Sequence, residues 1–151
     1  MKIENILIEK AKEDGIEKLV VGGIVVDNNN KILILRRTAD DFMGGIDELP
    51  SGKLEAGESL FEGLIREIKE ETNLDVEDIY GYIDYFDYLS GSGKRSRQYN
   101  FIVKVKTTDH VILSEHDFYN WQTVEECNNN SKITPKTLTT INIAEFNYLR
   151  K

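Results

Sequence analysis

The chain of 151 residues carries a formal net charge of −8 and one cysteine, Cys127. Its length suits a single domain, residues 1–151, that buries roughly two thirds of the surface of the unfolded chain. The acidic balance argues against a nucleic-acid polymer or an anionic membrane as partner, the lone cysteine excludes an internal disulfide framework, and no apolar run or signal pattern marks a membrane or secreted protein; the expectation is a soluble, cytoplasmic one.

Residues 3–14 place Ile3, Ile6, Leu7 and Ala11 on one side and stop at Gly15, which predicts a short helix. This arm, residues 1–15, reads as packing or as part of a homodimer contact. Lys18 to Asp27 is a β-branched apolar run and predicts a buried strand, in which Gly22 and Gly23 mark a bulge or a close backbone approach. Asp27 to Asn30 is a turn, and Lys31 to Arg36 returns as the second strand of a hairpin. Arg36 and Arg37 at its end read either as a solvated strand end or as guanidinium forks for phosphate. Thr38 to Gly45 is a polar loop.

From Ser59 onward, Leu60, Phe61, Leu64, Ile65 and Ile68 recur with a helical period. Glu67, Glu70 and Glu71 are then i, i+3 and i+4 and share an adjoining face, where each like-charge pair costs a few tenths of a kcal/mol. A helix built for stability alone would mix in lysines. Clustered carboxylates suit a hard divalent cation such as Mg²⁺ together with phosphate oxygens; the alternative is a solvated acidic face.

A strand carrying Tyr80, Tyr82, Tyr85, Phe86 and Tyr88 follows. Period two puts Tyr80 and Tyr82 on one face, Ile83 and Tyr85 on the other. These aromatics read as core or cross-strand pairs, with a tyrosine at the open end able to stack on a base. Leu89 to Arg97 forms the next hairpin tip. It is no phosphate loop, since Tyr88 stands where the first glycine should be and Arg95 where Ser or Thr should follow the lysine. Lys94, Arg95 and Arg97 make it the densest positive patch, either an exposed turn or a mobile clamp on substrate phosphate. Gln98 to Val105 is another strand. Glu115 and His116 precede Trp121; a loop histidine is surface decoration or a proton acceptor. Thr123 to Cys127 suggests one helical turn, and Thr134-Pro135 opens a last helix.

The stretch Gly52 to Leu74 resembles the signature of the Nudix hydrolase family, G-x5-E-x7-R-E-U-x-E-E-x-G-U, with U a bulky aliphatic. Gly52, Glu58, Arg66, Glu67, Ile68, Glu70, Glu71 and Leu74 match; Asn73 stands where the family has glycine, and Asn is the next-best residue for a left-handed cap. Leu49, Pro50 and Gly52 also agree with the family's Leu-Pro-Gly-Gly, with Ser51 replacing one glycine. The resemblance implies an α/β fold, a Nudix-type α/β/α sandwich around a mixed, curved sheet. It implies a Mg²⁺-dependent hydrolase, Mn²⁺ being a possible substitute, that cleaves the diphosphate bond of a nucleoside diphosphate linked to another group. By the same resemblance Glu67, Glu70 and Glu71 bind metal, together with a carbonyl at Ser51 or Gly52. Arg66 and Glu58 orient them; Glu67, Glu70 and Glu115 are the catalytic acids, with Glu67 or Glu115 the general base and Glu115 alternatively a further metal ligand. The alternatives are a non-catalytic nucleotide or metal sensor on the same scaffold and a metal-binding interaction module of another class.

Overall fold

β1 (Lys18–Val26) is apolar on both faces and paired on both edges, and the other elements take their places from it. The computed structural model describes residues 2–41 and 43–149. α1 (Ile3–Glu13) precedes β1. Then come β2 (Ile32–Arg37), β3 (Asp47–Glu48), β4 (Ser51–Lys53), α2 (Leu60–Thr72), β5 (Val76–Leu89), β6 (Arg95–Val105), β7 (His116–Gln122), α3 (Val124–Asn128) and α4 (Pro135–Ala144), which runs into a π-helical turn, Glu145–Leu149.

One edge of β1 pairs in parallel with β6, which pairs antiparallel with β5. The other edge is divided. Val20 to Gly22 pair with β4, whereas only Val26 meets β2, at Ile32. β2 therefore diverges from β1 and carries β3 and β7 on its own edges. The sheet is mixed, and the wedge between β1 and β2 admits the Leu49–Gly52 segment, with the Gly23 N–H donating to the Pro50 carbonyl at 2.9 Å.

Alternation along β1 and β2 serves two cores. Val21, Val25, Leu33 and Leu35 meet Leu60, Leu64 and Ile68 of α2 and Ala11 of α1. Ile24, Val26, Ile32 and Ile34 meet Ile141 and Ala144 of α4, Cys127 of α3, and Leu49. The result is an α/β/α sandwich. A Cβ on Gly23 would stand 3.0 Å from Ile68 Cδ1, so the close approach expected at the paired glycines is the seating of α2.

α2 begins with a reciprocal cap: Ser59 Oγ accepts from the Glu62 N–H, and Glu62 accepts from the Ser59 N–H. It ends at Asn73 with φ 67°, the left-handed cap that the asparagine predicts. Burying Leu60, Leu64 and Ile68 contributes about 2 kcal/mol each, which outweighs the few tenths lost per acidic pair on the adjoining face.

β5 departs from the expected alternation. Its pairing with β6 shifts between Val76 and Asp78, Ile79 and Gly81, and Tyr82 and Asp84. Each extra residue turns the following side chains over. Tyr82 and Tyr85 therefore share a face, both against Tyr99 at 6.3 and 5.9 Å, while Tyr80 leaves that side and Ile83 joins the α4 core. The arm is fixed by packing, with Tyr99 Oη donating to the Leu7 carbonyl at 2.6 Å. Among the described residues no helix is long and apolar enough to cross a membrane.

Candidate active site

The segment wedged into the sheet brings backbone against the acids of α2. The Ser51 N–H donates to Glu71 Oε1 at 2.7 Å. A Cβ on Gly52 would lie 2.0 Å from the carboxyl carbon of Glu67, so that carboxylate occupies the space which any other residue would fill. Glu70, one turn on from Glu67 and next to Glu71 in the chain, is 56% exposed at the rim.

Arg66 ties the acids together. Its Nε and Nη2 donate to Glu58 at 2.7 and 2.9 Å, and its Nη1 donates to Glu67 at 2.8 Å and to Glu70 at 3.1 Å. Nη2 also donates to the Lys53 carbonyl at 3.1 Å. Arg66, with the Glu55 N–H, holds the Glu58 carboxyl down at about 2. Burial raises Glu67 against the pull of Arg66, with Glu70 and Glu115 adding to the rise. Burial pushes Glu71 up to about 9, beyond what the Ser51 N–H restores, and Glu48, Glu67 and Glu115 repel its charge.

Beside these acids opens a cavity of about 430 Å³, whose lining includes Ser51, Glu48, Arg37, Phe86, Tyr88 and Gln98. A larger cavity of about 510 Å³ lies along Val26, Tyr80, Lys104 and Tyr148; no α2 acid lines either cavity, but the smaller includes Ser51, whose N–H holds Glu71. The smaller one is the chemically relevant cleft, because it alone of the two shares Ser51 with the acidic arc.

Among the described residues no three His, Cys, Asp or Glu groups form a ready cage for a metal. Arg66 engages Glu67 and Glu70 instead. The donor set nevertheless fits a hard divalent cation: all-oxygen, partly buried, and including at Glu71 a carboxyl whose charged form burial disfavours and a cation beside it would favour.

The model of the NUDIX domain matches residues 17–140. The chain belongs to the Nudix family. Among curated relatives, an 8-oxo-dGTP diphosphatase of Proteus vulgaris is 39% identical over 57 residues, 38% of this chain and 51% of that protein. The chain spans about half or less of the length of the curated relatives it matches. Among solved structures, the MutT protein from Methanosarcina mazei Go1 has a TM-score of 0.71 at 26% identity, over 87% of this chain and 95% of that one. A bifunctional NMN adenylyltransferase/ADP ribose pyrophosphatase from Francisella tularensis, complexed with AMP and a Mn ion, has a TM-score of 0.69 at 19% identity, over 93% of this chain and 46% of that one.

Within this Nudix scaffold four of the five basic residues do not line the cleft. Arg36 is paired with the buried Asp47 at 2.7 Å and covers the Phe118 ring at 4.7 Å. Arg37 is held by Glu48 at 3.0 Å and is the one of the five that lines the cleft. The hairpin turn is shorter than its sequence suggests, because β6 already begins at Arg95. Arg97 is 4% exposed, locked by Asp87 at 2.7 Å and Asp14 at 2.9 Å, and stacked on Tyr85. Arg95 donates to the Asp14 carbonyl at 3.0 Å. Lys94 is exposed in the turn and, like Arg95 and Arg97, does not line the cleft.

Glu115 is exposed, yet near enough to raise Glu67 and Glu71. His116 is no surface residue: Nε2 bonds Glu48 Oε2 at 2.9 Å, and Nδ1 is buried with no hydrogen-bond partner among the described residues, 3.8 Å from Glu71 Oε2. Glu48, bonded to both His116 and Arg37, is the member of this cluster that its sequence context marks least. Its one local signal is its position just before Leu49-Pro50.

Proposed function

We propose that this chain hydrolyses the diphosphate linkage of a nucleoside diphosphate joined to another group, such as a nucleoside triphosphate or a nucleotide sugar. The observation that carries this reading is the Glu67 carboxylate laid over Gly52, with Glu71 on the Ser51 N–H, at the mouth of a cleft with an aromatic wall. The curated relative named above supports the class: its name includes 8-oxo-dGTP, which carries a nucleoside-linked diphosphate.

Glu67, Glu70 and Glu71, with a carbonyl of Ser51 or Gly52, would hold Mg²⁺, for which Mn²⁺ would substitute. When bound, the cation neutralises diphosphate charge and lowers the pKa of water. Arg66 aims Glu67 and Glu70, and Glu58 anchors Arg66. Glu67 and Glu115 are the candidate proton acceptors, one inside the arc and one at its rim. His116 Nε2, bonded to Glu48, holds that carboxylate beside Glu71. Phe86 and Tyr88, with ring centroids 6.3 Å apart, offer a wall for a base, and Arg37 offers positive charge at the same cleft.

A panel of nucleoside triphosphates, nucleotide sugars and dinucleoside polyphosphates, incubated with Mg²⁺ or Mn²⁺ and read by mass spectrometry, tests this. Cleavage within the diphosphate of at least one compound is expected. Nucleotide-dependent thermal stabilisation without turnover would replace the enzyme by a sensor.

A further inference from the structure

We infer that Gln98 presents a fixed hydrogen-bond acceptor to the cleft, so that the cleft selects a nucleobase carrying an exocyclic amine. This rests on the proposed function and adds the specificity that the acidic arc does not encode.

The polarity follows from a chain of buried groups behind the cleft. Asp84 of β5 accepts from Thr140 Oγ1 of α4 at 2.9 Å and from Asn100 Nδ2 of β6 at 3.1 Å. A carboxylate only accepts, so Asn100 must turn its nitrogen to Asp84 and its oxygen away. That oxygen, Oδ1, accepts from Gln98 Nε2 at 2.8 Å. Were either amide reversed, oxygen would face oxygen in a site where Asn100 and Thr140 are fully buried. The nitrogen end of Gln98 is therefore committed inward.

Gly22 makes the space for this arrangement. A Cβ there would stand 2.4 Å from Gln98 Nε2, 2.5 Å from Asn100 Oδ1 and 3.2 Å from Gln98 Cδ. Gln98 thus points its nitrogen over β1 and its Oε1 outward, on a residue that lines the cleft opposite Phe86, its cross-strand partner. Among the described residues no hydrogen bond reaches Oε1, and it is not one of the fully enclosed unpaired atoms. An acceptor fixed in this polarity matches a base that presents an amine to it and repels one that presents a carbonyl at the same position.

Calorimetry with nucleoside 5′-monophosphates tests this in matched pairs: AMP against purine riboside monophosphate, CMP against 2-pyrimidinone riboside monophosphate, and GMP against IMP. At least the tightest-binding amine ligand should exceed its partner roughly tenfold, one good hydrogen bond's worth. Gln98→Met should bring that pair together by weakening the amine ligand alone. Should the variant not fold, the wild-type pairs still decide. Equal affinities within every pair, or a variant that weakens both members alike, would overturn the inference. If diphosphate turnover is present while the pairs are equal, only this inference falls; if no nucleotide binds or turns over, the proposed function falls with it.

Discussion

Arg66 meets Glu58 side on, its Nε and Nη2 donating to the two carboxylate oxygens at 2.7 and 2.9 Å. The same guanidinium reaches Glu67 and Glu70, so a residue outside the acidic arc sets the arc's shape. This pairing gives the first prediction. The Glu58 pKa is depressed to about 2 from an ordinary 4.5. Its contribution to stability is therefore complete above pH 4.5 and is lost as pH falls toward 2. Glu58→Gln should melt earlier than the native protein at pH 7, and the difference should close across that acid window. A difference that persists unchanged at pH 2 would show that the pairing is not its source.

Glu71 has the opposite sign. Burial raises it to about 9, so the folded protein binds a proton that the unfolded chain releases above about pH 4.5. Stability therefore falls as pH rises from 4.5 toward 9. In chelator-treated protein, Glu71→Gln should be the more stable form at pH 8, by on the order of 1–3 kcal/mol, and should lose that advantage below pH 4.5. Thermal melts of both proteins across pH test this; a destabilised Glu71→Gln at pH 8 would contradict it.

Gly52→Ala separates chemistry from folding. The added Cβ meets the end of one flexible side chain, Glu67, 2.0 Å away. The fold should lose no more than about 1 kcal/mol, since Glu67 can swing aside, while turnover should fall a hundredfold or more because the displaced carboxylate no longer faces the loop. Melting and rate measurements on the same preparation check both halves. Full activity would remove Glu67 from the site.

Arg97 should behave in reverse. It is enclosed between Asp14 and Asp87. Arg97→Ala should cost about 2–4 kcal/mol, because two carboxylates lose their partner and the Tyr85 ring its cover. KM for the diphosphate substrate should stay within about twofold, as the side chain is outside the cleft. A raised KM with unchanged melting would restore the phosphate clamp that the sequence suggests.

What the sequence made legible was local. The Ser59–Glu62 cap, the Asn73 terminus and the acidic arc all lie within one helix and its ends, where spacing alone sets geometry. The close approach at Gly22 and Gly23 was also readable, although only the fold assigns one glycine to the Gln98–Asn100 amides and the other to α2. The faces of β5 were not readable, because its bulges arise from register with β6 rather than from its own residues. The partners of Arg36, Arg37, Arg97 and His116 were hidden for a similar reason. Each finds its acid on another segment, as His116 does with Glu48, and charge counted along the chain cannot distinguish a free cation from a neutralised one.

The account depends most on a divalent cation held by Glu67, Glu70 and Glu71 at the mouth of the cleft. Crystals grown with Mn²⁺ and a nucleotide product, measured at the manganese absorption edge, test it directly. The expected result is an anomalous peak within coordination distance of at least two of those carboxylates. A peak elsewhere, or none while the product is bound, would contradict the account.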